Sequence, residues 1–311
     1  MKLFIIALAI ACYVGKYQTS GIVSPEALNV TLAVFAGVPD PQWTITPNTL
    51  NYQEIQKLYK EAKNLGATYS LKQMPAHLGY KGFLVEEGDQ DPVRVIVGPE
   101  TTPLQNLLLQ SIPAEIKLPK KIKDKIAIVI KSGKVLPMNL NDVKENFTEP
   151  IAKRAPPNWE GATYTWSHNY AITENNCYNY ANDKVTNTLA QPGRGSGREL
   201  AAITNNEVRE AARRDGLVLL PDAAGGGIPN ISKNGPYHLV ALVVDPGNDY
   251  HWYRLDSNGL WSHKPGSTRI TNRDGALNLI PDPRLAVNGP GPFNYAFVCF
   301  MRTNKNTVNI R

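Results

Sequence analysis

The sequence predicts an α+β fold in two blocks, and three observations lead there. Amphipathic helical patterns and short alternating runs are both present, which calls for mixed secondary structure. The alternating runs are joined by short turn-rich segments, so they pair as hairpins and form antiparallel sheets. A proline-rich stretch, Pro150 to Pro157, divides the chain. The expected organisation is a leader over 1–21, a small α+β domain over 22–149, a linker over 150–157, and a second α+β domain with an antiparallel sheet over 158–311. A chain of 311 residues is long enough for both cores.

Met1 and Lys2 give a positive start, and Leu3 to Cys12 is an unbroken apolar run. That run matches a signal-peptide core and is shorter than the roughly 20 apolar residues that span a bilayer. Cleavage is expected between Lys16 and Ile22, giving a secreted protein. No later apolar run reaches spanning length, so no membrane span is expected. Ala9 to Cys12 loosely resembles a bacterial lipobox but lacks the usual large aliphatic residue at its first position.

In the first block, Val30, Leu32 and Val34 alternate as in a strand, which Pro39-Asp40-Pro41 ends. Asn48 or Thr49 caps an expected helix through Asn64, with Leu50, Ile55, Leu58, Ala62 and Leu65 on one face and Gly66 as its stop. Gly82 to Glu86 and Val93 to Val97 flank a turn and read as a hairpin. Thr101 to Gln110 reads as a helix, and Ile126 to Ile130 as a short buried strand. His77 stands alone and reads as structural. The dibasic pair Lys153-Arg154 is either an ordinary part of the linker or a processing site that would make the first block a propeptide.

The net charge is +6, with 19% charged residues. Such a balance suits an anionic surface or polymer, but the basic residues are scattered apart from Lys117 to Lys125. That run reads as a solvated face, and nucleic acid is not expected as a partner. Sequons at Asn29, Asn146 and Asn230 are about as many as chance supplies in so Asn-rich a chain. No metal-ligand spacing and no nucleotide-binding glycine pattern is present, so no metal or cofactor is expected.

The second block holds the remaining candidates. Cys177 follows Asn175-Asn176, with Ala181, Val185 and Leu189 after it at helical spacing, so it is expected at a helix start. A thiol there feels the positive end of the helix dipole, which favours the thiolate. Gln191 to Arg198 reads as a flexible glycine-rich loop. Thr204 and Glu207 form a capping box for a helix through Arg214, closed by Gly216. His238 opens the strand Leu239 to Val244, Asp245 to Asp249 turns the chain, and Tyr250 to Leu255 returns. If Val244 pairs with Tyr250, counting back sets His238 opposite Asp256. Cys299, in the strand-like Tyr295 to Met301, is the other cysteine after the leader. A Cys177–Cys299 disulfide, a catalytic Cys177 and an inert buried thiol all remain open. Trp166-Ser167-His168 and Trp261-Ser262-His263 repeat a triplet, read as loop packing rather than a polysaccharide-facing surface.

Cys at a helix start, His at the head of a strand and an acid on the next resembles the papain-like cysteine hydrolases, including cell-wall peptidases of the NlpC kind. The match spans about Asn175 to Asp256, without the Cys-Gly-Ser-Cys-Trp or Asp-Cys-Ser-Gly motifs. The resemblance implies Cys177 as nucleophile, His238 as base and Asp256 as orienter, acting on an amide or ester. His251 to Gly266 also resembles a segment of poorly characterised secreted bacterial and invertebrate proteins. Two classes follow: a secreted cysteine hydrolase with an extracellular substrate, or a non-catalytic extracellular protein. The second would belong to a matrix polymer, such as the organic matrix of a shell, or bind glycans.

Overall fold

The computed structural model describes residues 27–88, 92–139, 157, 166, 169–221, 224–232 and 235–311. The leader, Asn146, His168, the Lys153-Arg154 pair and all of the linker except Pro157 lie outside the described residues. The described chain is α+β, with two five-stranded antiparallel sheets.

The first sheet lies wholly in the first block. β1 (Leu28–Ala33) turns through Asp40, whose carboxylate accepts the backbone N–H groups of Val34 at 2.9 Å and Phe35 at 2.8 Å. It returns as β2 (Gln42–Ile45), a strand the sequence reading missed. α1 (Tyr52–Asn64) follows, then the two-residue β3 (Tyr69–Ser70). β4 (Gly82–Glu87) and β5 (Arg94–Ile96) form the expected hairpin, with Leu84 opposite Val95. The strand order is β2-β1-β4-β5-β3.

α1 buries Ile55, Tyr59 and Ala62, spaced i, i+4, i+7, whereas Leu50 and Leu65 are each 79% exposed. The expected apolar face was therefore too long at both ends, because the helix starts after Asn51 rather than at Asn48 or Thr49. Its stop is as expected: Gly66 takes a positive φ of 69°. The Gly66 and Ala67 N–H groups return to Lys63 and Ala62, closing a Schellman motif. α2 (Thr102–Gln110) matches its prediction.

Ile126 to Ile130 is not a strand. It lies inside α3 (Lys120–Ser132), which buries Ile122, Ile126 and Ile130 at a four-residue spacing and ends on Gly133 at φ 62°. The β-branched run imitates a strand locally, but only the longer window shows the helical period.

The second block begins with α4 (Asn169–Glu174) and α5 (Cys177–Ala181). α5 stops at Asn182, so Val185 and Leu189 do not continue it. The Gln191 to Arg198 segment is a built turn rather than a loose loop, since Asp215 accepts the N–H groups of Gly193 and Ser196 at 2.7 and 3.0 Å. α6 (Asn205–Arg214) is capped by Thr204, which accepts the Glu207 N–H at 3.1 Å. The Glu207 carboxylate pairs with Arg214 instead of completing the box.

β6 (Val218–Leu219), β7 (His238–Asp245), β8 (Asp249–Leu255), β9 (Trp261–His263) and β10 (Ala296–Thr303) make the second sheet, ordered β6-β10-β7-β8-β9. Val244 faces Tyr250 and Val240 faces Arg254, the register the hairpin count requires.

The two sheets respect the two blocks, but the core does not. One hydrophobic cluster contains Leu32 and Phe83 from the first sheet together with Leu239, Tyr253 and Phe300 from the second. A smaller cluster, around Cys177, Val240, Trp252 and Met301, has its buried members in the second block, and Val38 of the first block packs against it.

Candidate functional site

Cys177 opens α5, as the sequence predicts, but its surroundings are not those of a nucleophile. Asn176 caps the helix by accepting the N–H groups of Tyr178 and Asn179 at 3.0 and 3.2 Å, so the positive helix end is already taken up. Asn176 Nδ2 donates to the carbonyls of Gly37 and Ala190. The Cys177 side chain is fully buried. Burial first, and then the nearby Asp249 carboxylate, push its thiol pKa up rather than down. The backbone N–H of Trp252 and the Lys264 cation oppose that shift without reversing it. That direction runs against the activated thiolate expected from sequence. Cys177 and Cys299 are both thiols in one buried cluster, and no disulfide joins them.

His238 heads β7 as expected, and its Nε2 bonds the carbonyl oxygen of Ala181 at 2.7 Å. Burial lowers its pKa to about 4, so the ring is neutral and its Nε2–H is the donor. Asp256 does not orient that ring. Its oxygens accept from Arg254 Nε at 2.9 Å and Ser262 Oγ at 2.5 Å. Arg254 also donates to Tyr180 Oη at 2.8 Å, and Tyr180 meets Ser262 at 2.7 Å. The four side chains close a ring that is buried throughout. Burial opposes the charge on Arg254, but Asp256, Tyr180 and Asp183 outweigh it and hold the guanidinium charged. The three predicted site residues thus fall into separate local networks.

The sequence reading missed a second set of buried polar groups. Lys264 Nζ donates to three carbonyls, those of Ile172, Asn175 and Gly266, at 2.6–2.8 Å. Lys81 Nζ donates to the carbonyls of Phe35 and Gly79. Asp249 accepts the N–H groups of Ala36, Gly37 and Val38 and the hydroxyl of Tyr295. Burial raises its pKa to about 6 in spite of those donors. Nothing in composition marks these lysines, because Lys is the residue type least expected inside.

His251 and His263 form a directed pair. His263 Nε2 lies 2.9 Å from the carbonyl of Arg273 and must donate to it, which leaves Nδ1 as an acceptor. His251 Nε2 therefore donates to His263 Nδ1 at 2.8 Å. The Trp261-Ser262-His263 triplet is accordingly core and not a ligand-facing surface. The lone His77 accords with its structural reading, lying against the Leu78 carbonyl with its pKa lowered to about 4 by burial.

A surface depression of about 480 Å³ is lined by Glu210, Arg213, Arg214, Leu217, Val218 and Leu219, none of them a predicted site residue. A cavity of about 70 Å³ touches Asp256, Leu239 and Leu255. That volume is far below the few hundred Å³ of an ordinary small-molecule site. Among the described residues, no group of three or more His, Cys, Asp or Glu side chains is placed to hold a metal ion. No described helix is long and apolar enough to cross a membrane.

No protein-family model and no solved structure matches the chain. A curated relative does: the protein named insoluble matrix shell protein 1, from Ruditapes philippinarum, is 49% identical over 127 residues. The match takes in 40% of this chain and 78% of that protein. Identity at that level, over most of the relative's length, places the chain in the family of insoluble matrix shell protein 1.

Proposed function

We propose that this chain is a secreted, non-catalytic structural component of an insoluble extracellular organic matrix of the shell type. The observation behind this reading is the 49% identity over 78% of insoluble matrix shell protein 1. The polar interior supports it. Cys177 is buried with a raised thiol pKa, His238 is committed to a backbone carbonyl, and Asp256 is committed to Arg254 and Ser262. A side chain whose hydrogen-bonding capacity is used internally stabilises a fold and has little left for a substrate. The matrix reading also accommodates the net charge of +6, which favours retention among anionic polymers.

The test is fractionation of the source organism's hardened extracellular material. After removal of mineral and extraction with salt and detergent, peptides of this chain should be enriched in the insoluble residue. Recovery of the protein wholly in soluble or intracellular fractions would overturn the reading.

A further inference from the structure

The positive charge of this protein is unevenly compensated. On and near α6 four arginines are matched by acids: Arg194 with Glu199, Arg209 and Arg213 with Glu210, and Arg214 with Glu207. The stretch from Lys117 to Lys134 differs. It contains seven Lys and one acid, Asp124, and has neither Arg nor an aromatic residue. Among the described residues, Asp124 on Lys120 is the one acid that pairs with a lysine of this stretch, at 2.8 Å. Lys117, Lys121, Lys125, Lys131 and Lys134 are exposed, and Lys125 reaches the carbonyl of Pro292.

α3 turns this sequence into a surface. Ile122, Ile126 and Ile130 hold its inner face in the core, so the lysines at intervening positions must point outward. Ile128 is 69% exposed and lies among them. The outer face is therefore a cationic strip with an apolar spot. Helix formation holds Lys121, Lys125 and Lys131 on the outward side of α3, where an extended polyanion can contact them.

We propose that the outer face of α3, with Lys117 and Lys134 at its ends, is a docking surface for an acidic polysaccharide. This deepens the matrix reading and rests on it. Charge complementarity selects a polyanion. The absence of Arg and aromatic side chains removes the bidentate phosphate contacts and base stacking on which nucleic-acid recognition relies. Lysines act as point charges toward carboxylates spaced along a sugar chain, while Ile128 can contact the apolar edge of a sugar ring.

The test measures binding of the full-length protein to immobilised alginate, a polyuronate, at low salt. A triple variant, Lys121→Gln/Lys131→Gln/Lys134→Gln, is compared with a control of equal charge change, Lys57→Gln/Lys60→Gln/Lys72→Gln. All six positions are exposed, and cooperative unfolding of both variants confirms that each is folded. The expected result is at least a tenfold loss of affinity in the α3 variant and less than a twofold loss in the control. Raising salt to about 0.2 M should weaken wild-type binding by an order of magnitude, as counterion release requires. No wild-type binding, equal losses in both variants, or tighter binding to poly-aspartate or duplex DNA would overturn the proposal. Those outcomes leave recovery from the insoluble fraction unaffected, so the two readings fail separately.

Discussion

Asp249 and Ala36 are joined by a 2.6 Å hydrogen bond that spans 213 positions of sequence. The carboxylate sits at the start of β8 in the second sheet and also takes the N–H groups of Gly37 and Val38, which follow β1 of the first. Gly37 is further held through its carbonyl, which accepts from Asn176 and Gln191. A Cβ at Gly37 would lie 2.5 Å from Tyr250, so this loop is pressed directly against β8.

Replacing Asp249 with Ala should therefore destabilise the whole molecule. It strands three backbone donors and the Tyr295 hydroxyl in a dry site, a loss of about 3–5 kcal/mol. Denaturant unfolding should show a lower midpoint with an unchanged slope. A loss below about 1 kcal/mol would mean that water reaches these donors.

The shared core makes a related prediction for the linker. A cut after Arg154 should leave two pieces that stay together under native conditions, because Leu32, Phe83, Leu239 and Phe300 belong to one cluster. Size-exclusion chromatography of the nicked protein should show one species, which separates only in denaturant. Spontaneous separation into two folded pieces would show that the contacts between the sheets are weak.

Cys177 should resist alkylation in the native protein at pH 6 and at pH 8, and should react only on unfolding. Its burial removes access, and its raised pKa removes the thiolate. Replacement by Ala should cost about 1–2 kcal/mol from the cavity it leaves. Rapid modification of Cys177 at pH 6 would restore the case for a reactive thiol.

The turn geometry was legible in the sequence and the buried charges were not. Asp245 to Asp249 fixes a hairpin register by counting, and the count sets Val244 against Tyr250 as observed. α3 was read as a strand because five residues of Ile, Ala and Val look extended until Ile122 is included in the window. At Cys177 the helix start was legible, but thiol reactivity depends on burial, Asp249 and Lys264, which come from distant sequence. The same holds for Asp256: the β7–β8 pairs run from Asp245 opposite Asp249 to Val240 opposite Arg254 and stop short of the counted pair of His238 with Asp256, whose carboxylate is held by Arg254 and Ser262.

That ring of buried side chains should be sensitive to loss of either charge. Arg254→Met leaves the Asp256 carboxylate without its ion partner in the interior, and should cost about 3–5 kcal/mol. Asp256→Asn should cost less, because Asn retains an acceptor for Arg254. Arg254→Met combined with Asp256→Leu should recover part of the loss, since it removes both charges at once. A double variant no more stable than Arg254→Met alone would show that the ring acts through packing rather than charge.

Acid should destabilise the protein first through its histidines. Burial lowers the pKa of His77, His238 and His263 to about 4, and His251 also lies well below its ordinary value. The unfolded chain, with His near pKa 6.5, binds more protons than the native chain between about pH 6.5 and 4. Their contribution is therefore intact above pH 6.5 and is lost as pH falls through 4, at up to roughly 3 kcal/mol for each group near 4. Asp249 works in the opposite sense: its raised pKa of about 6 means that native protein gains a proton before the unfolded chain does. Burial also raises Asp40, Asp215 and Asp256. At the upper end of the window the four histidines begin to gain protons in the unfolded chain near pH 6.5, above the Asp249 value of about 6, so their contribution to the urea midpoint should begin to fall there. His238→Gln keeps a donor for the Ala181 carbonyl but removes one titrating ring, and should make the dependence on pH shallower by up to one proton, about 1.4 kcal/mol per pH unit. A midpoint that stays level or rises between pH 7 and 6, or a His238→Gln slope equal to wild type, would refute this assignment.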